Sequence, residues 1–210
     1  LNLYKLRSKV EILNLSNEFV VAVLSKEKFL EIKGAIPIAG CTVKFREDKV
    51  FLDPRNIDLG ARLITNLEKL YLSLKKLGLT SSDKKEYYNL SHKFGIPQMN
   101  TDKLQNKIFG IECNFDELKA IDFKKGCYVG QENTARIKLK DKLNKRLLPI
   151  EIIDGNIEDE IILTDNKEIG KILIKDDNPF AIIKFKSDKF EFNKIFECGS
   201  AKIKVKKPYW

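Results

Sequence analysis

The chain has 210 residues, 43% hydrophobic and 10% aromatic, which supplies genuine cores for one large or two modest domains and makes this a globular protein. A net charge of +9 raises nucleic-acid binding as a class, but the cations are dispersed lysines and not a tract interleaved with aromatics; the joint Lys, Ile and Asn bias fits the coding preference of an AT-rich genome. No apolar run approaches the roughly 20 residues that cross a bilayer, and the start lacks the layout of a secretory signal, so the expected location is cytoplasmic with no membrane partner.

The opening LNLYKLRS places Leu3, Leu6 and Val10 at helical spacing and predicts the end of an amphipathic helix. A chain that starts on Leu inside an element is expected to lack an N-terminal portion of the natural protein. Residues 10–15 and 19–24 are short β-branched runs suited to a strand pair. Ser25 can cap a following helix, with Glu27 near the positive end of its dipole and Gly34 closing the segment. Residues 41–45 and 50–52 predict further strands before Asp53-Pro54-Arg55 breaks the pattern. Leu67, Leu70, Tyr71, Leu74 and Leu77 form one apolar stripe, with Thr65 or Asn66 at the start and Gly78 at the C′ position. A second helix begins near Asp83, carries Tyr87, Leu90 and Phe94, and stops at Gly95 and Pro97. His92 on this helix has no carboxylate, Cys or second His beside it in sequence and is expected to pack, not to ligate.

From Lys145 the texture changes to short β-type runs at 146–153, 161–164, 169–174, 181–185, 195–198 and 201–205. Turn residues punctuate them at the spacing of a small barrel or sandwich. The expected organisation is α+β, with residues 1–143 forming one region and residues 144–210 a C-terminal β-barrel domain.

Four cysteines, at 41, 113, 127 and 198, include no C-x-x-C pair and no companion His cluster, so no structural zinc site is expected. Cys41, Cys113 and Cys198 read as small buried hydrophobes. Cys127 differs, because Lys124 and Lys125 precede it and a helix is predicted to start near Val129 or Gly130. Unpaired N–H groups at that helix start and the two lysines favour the thiolate, giving a nucleophile or soft-metal ligand of lowered pKa. Gly126 and Gly130 bracket the thiol and allow positive φ or close approach of a ligand on either side. Glu132 and Arg136, four apart, can pair on one helical face, and Gln131 adds a donor and an acceptor. Turn glycines, a helix-stabilising pair and a buried thiol would explain the same residues without function.

The stretch Lys125-Gly126-Cys127-Tyr128-Val129-Gly130-Gln131-Glu132 closely resembles the K-G-C-Y/F-x-G-Q-E signature of the YgfZ/GcvT-like folate-binding proteins, which include mitochondrial iron–sulfur assembly members. The resemblance extends through YKLRSKVEI at 4–12, Asp53-Pro54-Arg55, Leu59-Gly60-Ala61-Arg62, Phe94-Gly95-Ile96-Pro97, Asp116-Glu117-Leu118 and Lys145-Arg146-Leu147-Leu148-Pro149. It implies a ferredoxin-like, GcvT-like folate-binding domain, related to the glycine-cleavage T-protein, ahead of the barrel. It also implies tetrahydrofolate as cofactor, transient iron–sulfur client or assembly proteins as partners, and tRNA only indirectly, through thiolating radical enzymes.

By that resemblance Cys127 carries the role, Lys125 lies near the folate, and Gly126, Tyr128, Gly130, Gln131 and Glu132 shape the segment. Arg136 matches a basic residue after the signature, and Glu112, Arg55 and Arg62 are further pocket candidates. A single Cys cannot hold a 4Fe–4S cluster by itself, so no permanently bound metal is expected. Two rival readings are folate-dependent aminomethyl transfer of the T-protein type, the reaction class expected if the chain is an enzyme, and a basic tRNA-binding adaptor.

Overall fold

The computed structural model describes residues 5–126, 131–140 and 142–209. The chain divides into two compact units, Leu1–Ser82 and Asp83–Trp210.

In the first unit, Phe19–Leu24 (β1), Thr42–Phe45 (β2), Asp48–Leu52 (β3) and Ala61–Asn66 (β4) form an antiparallel sheet in the order β1-β4-β3-β2. Strand alternation turns Val50, Leu52, Ala61 and Leu63 to one face, where Phe29 and Ile32 complete a core with Phe45. Phe29 comes from the short helix Lys26–Leu30 (α1), whose start is capped by Ser25 as expected, the hydroxyl accepting from the Lys28 N–H at 3.3 Å. Helix Leu67–Leu77 (α2) starts at Asn66, whose side chain accepts from the Glu68 N–H at 2.9 Å, and ends at Gly78 with φ +63°.

Residues 5–18 contain no helix or strand, so the helix expected through Leu6 and Val10 and the strand expected over 10–15 are both corrected; Leu3 lies outside the described residues. Leu6, Val10 and Leu13 stay 87%, 50% and 66% exposed, so no packing offsets the cost of nucleating so short an element. The α2 stripe is also divided. Leu70 and Leu77 pack on the sheet, while Leu67 and Tyr71 are 51% and 66% exposed. Ser73 takes a buried position because its hydroxyl donates to the Lys69 carbonyl at 2.8 Å and so brings no unpaired donor into the core.

The second unit opens with helix Lys84–Lys93 (α3), capped by Asp83 and closed at Gly95, φ +72°. A loop-rich stretch and helix Gln131–Leu139 (α4) follow. Strands Arg146–Asp154 (β5), Ile161–Thr164 (β6), Lys167–Ile174 (β7), Phe180–Ile183 (β8), Ile195–Cys198 (β9) and Ala201–Val205 (β10) then close into a barrel of order β10-β5-β8-β7-β6-β9. Its interior is filled by Leu148, Ile150, Ile162, Ile172, Phe196, Ile203 and their neighbours. A smaller core of Leu104, Cys113, Leu147, Ile174 and Phe180 ties the loop-rich stretch to the barrel strands. The barrel starts at Arg146, beside the change of texture at Lys145, while the compact unit that contains it starts at Asp83 and not near the boundary expected at 143.

Candidate functional site

In the first unit the Asp53-Pro54-Arg55 break is a charge cluster. The Asp53 carboxylate is almost fully buried and receives a bidentate fork from Arg55, Nε to Oδ1 at 3.0 Å and Nη2 to Oδ2 at 2.8 Å. The Arg55 N–H adds a third bond to Oδ1 at 2.9 Å, an Asx-type turn, and Arg62 Nε on β4 donates to Oδ2 at 3.2 Å. Burial alone would raise the Asp53 pKa. The Arg55 side-chain and backbone hydrogen bonds, with the charges of Arg55 and Arg62, outweigh it and hold the carboxyl below the usual carboxylate range. Two guanidiniums converge on the one carboxylate, and the arginine side chains are 25% and 27% exposed. The fold therefore brings together the two candidate arginines and adds Asp53, which the sequence shows only as a break in strand pattern and as part of the Asp53-Pro54-Arg55 motif.

In the second unit, Glu112 turns its carboxylate back onto its own turn and accepts from the Phe109 N–H at 3.0 Å. Its backbone carbonyl accepts from the Leu147 N–H at 2.8 Å, which fastens this turn to β5. Next to it, the fully buried Asn114 adopts φ +65° and donates to the Leu147 carbonyl at 2.7 Å, while its Oδ1 accepts from Arg146 at 3.0 Å. Arg146 also pairs with Glu117 and lies over the Phe185 ring at 5.4 Å. Asp116 pairs with Lys138 of α4, and the Lys138 ammonium sits 5.4 Å from the centre of the Phe123 ring. Sequence reasoning missed these supports except as parts of quoted motifs. Their signal was a run of acids at 116–117 matched by cations at 138 and 146, which only the fold brings into register.

Cys127, Tyr128 and Gly130 lie outside the described residues. Lys125 and Gly126 are exposed on the approach to them. Gly126 does not take a positive φ, and no described atom lies within 4 Å of an added Cβ. Gln131 begins α4 and is partly buried, and Glu132 and Arg136 make the expected pair at 2.7 Å, with side chains 82% and 59% exposed. Such an exposed pair contributes only a few tenths of a kcal/mol, about 0.2 to 0.5, to the helix.

The remaining cysteines behave as small hydrophobes. Cys113 and Cys198 are buried and Cys41 is partly so. Burial, with the Glu112 charge second, pushes the Cys113 pKa up to about 11, and burial with Asp159 raises that of Cys198. His92 packs as expected. Its Nε2 meets the Pro179 carbonyl at 2.9 Å, and its ring stands edge-on to Phe180 at 4.9 Å. Burial lowers its pKa, offset in part by the Pro179 carbonyl and Glu151.

Comparison with known proteins gives these clusters a context. Over 170 residues the sequence is 30% identical to the mitochondrial iron–sulfur cluster assembly factor IBA57 homolog of Dictyostelium discoideum, covering 78% of this chain and 41% of that protein. The chain is similar to iron–sulfur cluster assembly factors. Mouse IBA57, also mitochondrial, is 31% identical over 159 residues, covering 72% of this chain and 40% of the mouse protein. The Neurospora crassa homolog is 35% identical over 97 residues. The chain thus spans about two fifths of the Dictyostelium and mouse relatives. No family model matches the chain. These homologues are mitochondrial by name, which overturns the expected cytoplasmic location. That expectation rested on the first residues of the chain, and a missing secretory signal is no evidence against an organelle.

Proposed function

We propose that this chain is the folate-binding, thiol-bearing part of a mitochondrial iron–sulfur assembly factor of the YgfZ/GcvT-like type, with Cys127 as its functional residue. The observation that carries the reading is its similarity to IBA57 factors over about three quarters of its length, combined with the Lys125-to-Glu132 signature. The Asp53–Arg55–Arg62 cluster fits the group the signature calls for. It is a partly exposed pair of guanidiniums held by a buried carboxylate, a donor geometry that suits the anionic glutamate tail of tetrahydrofolate. When bound, the folate would supply a one-carbon or reducing pterin centre. The first unit's own task is to hold the tail at Arg55 and Arg62.

The iron–sulfur cluster is cargo, and a single thiolate at Cys127 would ligate it only together with donors from an assembly or client protein. In an iron–sulfur maturation assay that uses a cluster-dependent client enzyme as readout, Cys127→Ala is expected to abolish activation while Cys113→Ala retains it. Alkylation followed across pH is expected to give Cys127 a pKa below the roughly 8.5 of an unperturbed thiol. Full activation by Cys127→Ala, or alkylation of Cys127 with the pH profile of an unperturbed thiol, would overturn the assignment.

A further inference from the structure

The β1-β4-β3-β2 sheet has a second face, turned away from the core that contains Phe29, Leu52 and Leu63. On it Phe19, Val21, Val23 and Ile64 are 40%, 59%, 40% and 46% exposed. Register makes these side chains one band, since Val21 stands opposite Ile64 and Phe19 and Val23 flank Val21 on the same side of β1. The row continues across the sheet from Ile64 to Lys49 and from Lys49 to Lys44. The remaining outward positions on these strands, Thr42, Phe51, Arg62 and Asn66, add no acidic residue, and the charge of Arg62 is already matched by Asp53. Two lysines directly opposite each other on adjacent strands repel; Glu47 in the turn between the strands feels the charge of Lys44 but gives its ion pair to Lys69 at 2.9 Å.

We propose that this face docks a protein partner through an amphipathic helix that carries carboxylates along one side. A helix about 10 Å across covers two strands set about 4.8 Å apart, so its apolar stripe would lie along β1 and β4. Its acidic edge then falls over Lys49 and Lys44. Single-stranded nucleic acid fits less well, because the two rings on this face, Phe19 and Phe51, stand on strands separated by β4 and at opposite ends of the band, too far apart for consecutive bases to stack on them. A second copy laid face to face brings lysines and no acid to meet lysines. The proposal goes beyond the iron–sulfur reading and requires neither Cys127 nor folate.

The test uses the whole 210-residue chain and two labelled helical peptides of about four turns, with leucines on one face and either Glu or Lys flanking them, followed by fluorescence anisotropy. The Glu peptide is expected to bind about tenfold more tightly than the Lys peptide, with that preference reversed by the double variant Lys44→Glu/Lys49→Glu. Val21→Thr/Ile64→Thr, which keeps β-branched strand residues, is expected to weaken the Glu peptide about tenfold. Lys202→Glu/Lys207→Glu, on the barrel unit, reports non-specific attraction to a basic chain and is expected to change nothing. Equal binding of both peptides, no binding of either, or equal sensitivity to the barrel variant overturns the proposal. It is likewise overturned by preferred binding of oligouridylate that the Lys44/Lys49 variant abolishes, or by a dimer in sedimentation that Val21→Thr/Ile64→Thr dissociates.

Discussion

Asp53 shows how a single carboxylate sets the character of its surroundings. It is buried with two guanidiniums on it, and removing it would strip Arg55 and Arg62 of the carboxylate they share. Asp53→Ala is expected to destabilise the first unit by about 3 kcal/mol in urea denaturation. The pH dependence has a fixed sign. The folded carboxyl titrates below its unfolded value of roughly 3.9, so its contribution is complete above that pH and is lost as pH falls through the lower, folded value. The wild-type chain should therefore show an acid-induced loss of stability in that window which Asp53→Ala lacks; a parallel acid profile for the two proteins would refute this. The Asp-Pro-Arg order is visible in sequence as a break in strand pattern. Its chemistry is not, because Arg62 reaches Asp53 only when β4 pairs with β3.

At the level of elements, local signals with a steric or hydrogen-bonding cause carry over to the structure. Ser25, Asn66 and Asp83 cap the helices that follow them, and Gly78 and Gly95 close α2 and α3 in left-handed conformations. The six barrel runs likewise emerge as strands, since each is a short β-branched segment bounded by turn residues. Strand β4 escaped the pattern because apolar Ile64 takes an outward position and polar Thr65 an inward one, which breaks its apolar alternation, although it occupies an interior position in the sheet. The approach to β4 explains the Leu59-Gly60-Ala61-Arg62 motif. Gly60 has φ +83°, and an added Cβ would stand 2.2 Å from the Leu24 carbonyl oxygen, where backbone cannot yield. Gly60→Ala is expected to cost about 3 kcal/mol or more, against about 1 kcal/mol for Gly78→Ala, which has positive φ but open space. Equal effects in thermal denaturation would show that the close approach at Gly60 relaxes.

Over the whole molecule, compactness divides the chain after Ser82, whereas the change in sequence texture falls near residue 143. The exposed residues 80–83 are the expected site of first cleavage by a non-specific protease, leaving α3, α4 and the barrel in one fragment. A first cut near 143 that frees the barrel alone would instead make the barrel the independent unit. The sequence by itself determined the α+β character, the barrel strands, the caps and the signature around Cys127, because each rests on chemistry within a few residues along the chain. Only the tertiary structure decided that Asp53 gathers Arg55 and Arg62, that Asp116 and Glu117 reach Lys138 and Arg146, and that Leu67 and Tyr71 of the α2 stripe stay in solvent. Those outcomes depend on which strands pair and which face a helix buries, and contacts between residues distant in sequence are fixed by packing and not by local pattern.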